Sequence, residues 1–250
     1  MTITDRQILE VTGQDAEPFL QGLVTNDLSG LAQGLIYAAL LSPQGKYLAD
    51  FFLARQGGAI LLDVAAGLAP GLLKRLSMYK LRAAVEITPS PLVVAQGLGT
   101  APEDGWSDPR HPALGWRAYR ATPTDGIAPA AWDRLRVAHA IPESGIELIP
   151  DETYILEAGF EHLHGVDFKK GCYVGQEVTA RMKHKTELRK GLARVAIDGT
   201  APVGSEITAD GKPVGRLFTQ SEGEALAHLR FDRAGGEMQA GEARLRLLEI

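Results

Sequence analysis

One cysteine, Cys172, in a chain of 250 residues removes any internal disulfide framework, so whatever this sequence folds into must be held by a hydrophobic core. The length is ample for one large domain or two to three small ones. Hydrophobic residues make up 45% and charged residues 23%, the balance of an ordinary globular protein. The cysteine stands in Lys169-Lys170-Gly171-Cys172-Tyr173-Val174-Gly175-Gln176-Glu177. Residues 178–185 contain neither Gly nor Pro and read as a helix, which would put Cys172 at or just before a helix N-terminus. Unpaired N–H groups and the two lysines would favour a partly exposed thiolate there. Gly171 and Gly175 permit a positive φ or the close approach of another backbone. The other reading is a small buried hydrophobe in a tight turn.

Before this stretch the pattern alternates between strands and helices. Residues 8–11 read as a strand, Asp15 as the cap of a helix burying Phe19, Leu20 and Leu23, and 36–41 as a second strand. A turn at 42–45 leads to a β-hairpin, 47–54 and 59–64, closing at Gly57-Gly58. An amphipathic helix over 67–81 sets Leu68, Leu72, Leu76 and Tyr79 at helical spacing. Strands at 85–87 and 92–97 precede a loop-like stretch, 99–112. A helix over 130–140, stopped by Pro142, repeats Trp132, Leu135 and Ala138 at i, i+3, i+6, a buried face. Asn26 and Asp27 are residues that commonly fold back on their own backbone. From Gly191 onward short strands and turns take over (192–197, 206–209, 214–221, 225–231, 244–249). Asp210-Gly211 is a hairpin signal, and the spacing predicts a small antiparallel barrel.

Charge and motifs narrow the chemistry. A net charge of −5 argues against a nucleic-acid binder. Residues 169–190 hold seven Lys or Arg against two Glu, a local +5 that leaves −10 on the rest. That patch is either a solvated helix face or an attractor for an anionic ligand. Glu177 and Arg181 stand i, i+4 in the favourable order. No apolar stretch approaches a membrane span, and residues 1–10 show neither a signal peptide nor an organelle presequence, so the expected location is cytoplasmic. No GxGxxG, Walker A, GxSxG or HExxH sequence occurs. His162, His164, Cys172 and His184 lack a metal-site spacing, and no metal is expected.

Lys170-Gly171-Cys172-Tyr173-x-Gly175-Gln176-Glu177, continuing through Ala180-Arg181, closely resembles the signature of the YgfZ/Iba57 family, folate-binding relatives of the glycine-cleavage T-protein (an aminomethyltransferase) linked to iron–sulfur protein maturation. The resemblance extends to 20–27 and 79–87. It implies an α+β fold: a T-protein-like ring of two interleaved α/β subdomains around a central folate channel (1–188), with a C-terminal β-barrel (189–250). It also implies tetrahydrofolate or a derivative as cofactor, with Trp132, Asn26, Asp27, Tyr79 and Arg181 at the pocket and iron–sulfur client enzymes or assembly proteins as partners. An aromatic plate such as Trp132 suits a flat pterin. One cysteine cannot supply the usual four of a cluster, so any cluster contact would be transient, shared or indirect. Arg6 stands where some relatives have a second pocket Trp, and Thr186 replaces a common glycine. The alternative function is folate-dependent aminomethyl transfer, with Asp50 and Cys172 as candidate catalytic groups. T-proteins carry paired aspartates where this chain has Ala49-Asp50, which argues against glycine cleavage itself.

Overall fold

A computed structural model describes residues 6–184 and 188–249; Thr186 lies outside them. Its centre is a five-stranded antiparallel sheet of β1 (Arg6–Thr12), β2 (Ile36–Leu41), β3 (Tyr47–Gln56), β4 (Ala59–Ala65) and β5 (Glu86–Pro89), ordered β2-β3-β4-β1-β5. Every residue of β2 is buried, because both faces of the sheet are covered. The period-2 pleat then sorts side chains in two directions. Ile36, Ala38, Leu40, Phe51 and Leu53 pack with α1 (Ala16–Gln21) and α2 (Ala69–Lys80). Tyr37, Ala39, Leu41 and Phe52 pack on the other side. That second face is covered by a small antiparallel sheet of β6 (Val93–Gly97), β7 (Trp106–Ser107) and β8 (Trp116–Arg120), by α3 (Pro129–Ala138), and by turns through 155–166.

Two local features depart from the expected ones. Asp15 sits at the N-cap of α1 but makes no capping bond; its carboxylate instead accepts from the Ala84 N–H at 2.8 Å and ties α1 to the loop before β5. In β3 the pairing slips, Leu40 facing Ala49 and Leu41 facing Tyr47. This bulge turns Tyr47 and Asp50, three residues apart, to the same side. The Tyr47 hydroxyl donates to Asp50 Oδ1 at 2.6 Å.

After α4 (Gln176–His184) comes a closed barrel of β9 (Lys190–Asp198), β10 (Glu206–Ala209), β11 (Lys212–Ser221), β12 (Glu224–Arg230), β13 (Glu237–Ala240) and β14 (Ala243–Glu249), ordered β10-β11-β12-β9-β14-β13 and closed by Thr208 against Gln239. The Asp210-Gly211 turn has positive φ at both residues, 49° and 71°, as a two-residue hairpin requires. β13 was not foreseen, since its four residues lie between glycines.

The helix α3 wedges between body and barrel, which corrects the face expected for it. Trp132, Arg136 and Val137 are its buried residues, while Leu135 and Ala138 are only half-buried. Trp132 faces the body, and Val137 packs on Phe218 and Leu226 of the barrel. Arg136 is fully buried and donates to Glu147 Oε2 (3.1 Å), Asp133 Oδ1 (2.8 Å), Thr219 Oγ1 (3.0 Å) and the Ile141 carbonyl (3.1 Å). Glu147 in turn accepts from the Thr219 N–H at 3.2 Å. Arg136→Met therefore strands a buried carboxylate at the barrel junction, and urea unfolding is expected to show a loss of about 3–5 kcal/mol.

Candidate functional site

The Cys172 stretch is a loop braced at both ends. On its N-terminal side the Lys170 ammonium, 6% exposed, donates to the carbonyls of Gln21 (2.8 Å), Val24 (2.5 Å) and Asn26 (3.0 Å). Burial lowers its pKa to about 8, with Asp27 and Asp167 opposing. On the C-terminal side Gly175 has φ +84°, and a Cβ there would lie 2.6 Å from the Ser42 carbonyl oxygen. The facing Gly45 has φ +74°, and its Cβ would lie 2.7 Å from Val178 Cβ. Only glycines let these two turns meet. Tyr173 is buried in the body core, 5.2 Å from the Lys170 ammonium across its ring.

Between these anchors Cys172 is exposed. It lies four residues ahead of Gln176, the first residue of α4, so the helix N-terminus it was expected to occupy belongs to Gly175 and Gln176 instead. Gly171 has neither a positive φ nor a close neighbour, contrary to expectation. Lys170 is spent on backbone carbonyls and leaves the surface patch, whereas Lys169, Glu177 and Arg181 are exposed and Gln176 is half-buried.

The same bracing organises Asn26 and Asp27. Asn26 Nδ2 donates to the carbonyls of Tyr37 (2.8 Å) and His164 (2.6 Å), joining β2 to the loop that leads to the signature. Asp27 Oδ1 accepts from the Ser29 N–H at 2.7 Å, and bonds from Ser29 hold its carboxyl below the usual range. Asn26, Asp27, Lys170 and Tyr173 are thus brought together. Tyr79 is not: it packs on the helix-covered face of the sheet, in the other core.

Trp132 is 8% exposed and donates its indole N–H to Glu143 Oε2 at 3.1 Å. The Arg110 guanidinium stands 5.9 Å from its ring. Glu143, side chain 11% exposed, also meets Arg136 at 3.4 Å. Burial pushes its carboxyl up, but Arg136, Arg110 and Arg6 outweigh that and hold it below the usual range. Its Oε1 accepts no bond among the described residues. Asp50, 3% exposed, accepts from the hydroxyls of Tyr47 (2.6 Å), Ser144 (2.6 Å) and Tyr37 (3.0 Å), while Ala49 faces the opposite core.

A belt of buried ions lies beside these residues, and sequence reasoning missed it. Asp63 joins Arg6 (2.6 Å) and Arg117 (3.1 Å); Asp108 joins Arg117 (3.4 Å) and Arg110 (2.9 Å). The signal was present as one acid, Asp63, inside the apolar run of β4. The Arg6 guanidinium is held by Asp63 and stands 5.7 Å from the Phe52 ring.

Comparison with known proteins agrees with this architecture. A glycine cleavage system aminomethyltransferase T from Bartonella henselae superposes with a TM-score of 0.76 at 17% identity, covering 99% of this chain and 84% of that one. The fold is therefore that of the aminomethyltransferase T-proteins. Residues 189–249 match the family model described as "CAF17, C-terminal beta-barrel domain". The chain is 31% identical to "Iron-sulfur cluster assembly factor IBA57, mitochondrial" of Mus musculus, over 98% of its own length and 81% of that protein's. The human protein of the same name is also 31% identical, at 93% and 78%. The chain belongs to the IBA57 family of iron–sulfur cluster assembly factors. These relatives are named as mitochondrial proteins, which overturns the expected cytoplasmic location.

Two outcomes test the loop. Gly175→Ala should cost about 1–3 kcal/mol in urea unfolding, whereas Gly171→Ala should stay within about 0.5 kcal/mol. Lys170 binds its proton less tightly folded than unfolded, so between about pH 8 and the unfolded lysine value its contribution to stability rises with pH. Subtracting the stability–pH profile of Lys170→Met from that of the native chain should expose this rise; a flat difference would mean that the buried ammonium does not titrate there.

Proposed function

We propose that this chain is a tetrahydrofolate-binding assembly factor for iron–sulfur proteins that acts through the Cys172 loop. The observation that carries the reading is an exposed thiol on a loop whose two flanks are fixed, by the Lys170 ammonium and by the Gly175–Gly45 contact. Such a thiol is held where a partner can reach it without first ordering the loop. A single thiol supplies one of the usual four cluster ligands, so the cluster, as cargo, is shared with a client enzyme or assembly protein.

The donor set near Trp132 fits a reduced folate. A pterin is a flat ring edged with N–H donors. Trp132 offers an aromatic plate and Glu143 an ionised carboxylate with an oxygen to spare. These two would hold the ring, with Arg110 beside them. When bound, the cofactor supplies a reduced ring able to carry a one-carbon unit. In this reading residues 1–188 hold the folate and the thiol, and 189–250 form a separate barrel domain packed on α3. The aminomethyl-transfer alternative is disfavoured by Asp50, which is walled in by three hydroxyls.

Titration with 5-formyl-tetrahydrofolate should give a saturable change in tryptophan fluorescence that Trp132→Phe abolishes. No saturation up to millimolar ligand would remove folate from the proposal. In cells dependent on this chain, Cys172→Ser should leave folate binding and stability unchanged but lower iron–sulfur enzyme activity. Full activity with the serine would dismiss the thiol.

A further inference from the structure

The stretch from Val64 to Val85 holds Lys74, Arg75, Lys80 and Arg82 and no acidic residue, in a chain whose net charge is −5. It contains α2 and the turn that leads to β5. The helix spends Ala69, Leu72 and Leu76 on the sheet, and at helical spacing Lys74 and Met78 stand on its opposite face. Met78 is 67% exposed, and Leu81, which ends the helix, is 89% exposed. No other large apolar side chain among the described residues is as exposed as these two.

The Ala83 N–H donates to the Lys80 carbonyl at 2.8 Å, so Leu81 and Arg82 are the two corner residues of a tight turn. Leu81 has φ +44° and ψ −104°, close to the first corner of a type II′ turn, where glycine is the residue without a steric penalty. The fold thus bears a strained leucine whose side chain is left in water. Among the described residues none of the four cations makes an ion pair. Asp15 accepts from the Ala84 N–H at 2.8 Å and Glu17 pairs with Arg55, while Glu86, the next acid in sequence, pairs with none of them. Arg6 lies beside Ala65 and Thr12 beside Glu86, so this turn stands at the end of β1 away from residue 6.

We infer that this helix end and turn dock reversibly on an anionic lipid membrane. Met78 and Leu81 enter the interface, Lys74 and Arg82 meet the headgroups, and Arg75 and Lys80, half-buried, flank them. A protein partner would have to offer a pocket to each projecting side chain, whereas a bilayer interface yields to both. Cations near an anionic surface and apolar area buried in it both add to binding. Two side chains and four cations fall short of a permanent anchor, and added salt screens the cations. Neither Cys172 nor Trp132 takes part, so the inference stands apart from the folate reading.

Cosedimentation of the whole chain with vesicles of phosphatidylcholine, alone or mixed with phosphatidylglycerol, decides the matter. Binding should saturate on the mixed vesicles and be weaker by about tenfold or more on the neutral ones and in strong salt. Leu81→Gly suits the turn, so its urea midpoint should be little changed while its binding to mixed vesicles weakens about tenfold; should it unfold, Met78→Gln on the exposed helix face takes its place. Lys74→Gln should weaken binding about fivefold. Polyglutamate stands in for an acidic protein segment. Saturable binding to polyglutamate but not to the mixed vesicles, equal binding to both kinds of vesicle, no binding to either, or native binding by these folded variants would each overturn the assignment.

Discussion

Asp63 is the constraint on which the body of the protein depends. It lies on β4 with no exposed surface, and a carboxylate so placed must be paired or give up its charge. Its partners come from both sheets: Arg6 from β1, and Arg117 and the Tyr119 hydroxyl from β8. Arg117 passes the pairing on to Asp108, and Asp108 to Arg110. Burial pushes Asp108 up, yet the two arginines hold its carboxyl below the usual range. The ring of Phe52 lies near all three arginines, with Arg117 nearest at 4.1 Å from its centroid. Among the described residues the strands of the two sheets form no common ladder. Their apposition rests on side-chain packing and on this alternation of charge.

The same device recurs at the two other junctions. Lys170 closes the signature loop onto the segment after α1, and Arg136 closes α3 onto the barrel. In each case one buried cation meets acceptors on a segment far from its own in sequence. Removing such a cation leaves its acceptors unpaired in a low-dielectric interior, which costs more than the intact pair contributes. Residues that resemble a family signature can therefore be framework: Lys170 and Gly175 shape the loop, while Cys172 is the part turned outward.

This division also explains what could be read in advance. The hairpin of β3 and β4, the barrel turn at Asp210-Gly211 and α4 followed from alternation, glycine placement and helical periodicity, which are local signals. β8 escaped notice because Arg117 and Arg120 interrupt its apolar pattern, and one of the two is buried only because Asp63 and Asp108 await it. The face of α3 was misjudged for a related reason. A helix packed on both sides has no single apolar stripe, and its most buried residue is an arginine. Asp50 was legible as an acid on a strand, but not its three hydroxyl partners, two of which depend on a bulge or on a residue 94 positions away.

Accounting for the polar groups of the interior narrows where chemistry can happen. Asp50, Asp63, Asp108, Glu147 and Arg136 are all engaged, and to free any of them would unsettle a junction. Glu143 differs: one oxygen holds Trp132 and Arg136, and the other accepts nothing among the described residues. Three arginines keep it ionised, so that oxygen is a strong acceptor beside an aromatic ring. Tyr79 cannot join it, because the five-stranded sheet stands between the two cores. Trp132 begins α3 against the body, and His139 ends it against β9 of the barrel. One short helix, pinned by Arg136, thus carries the aromatic ring beside that acceptor at one end and meets the barrel at the other.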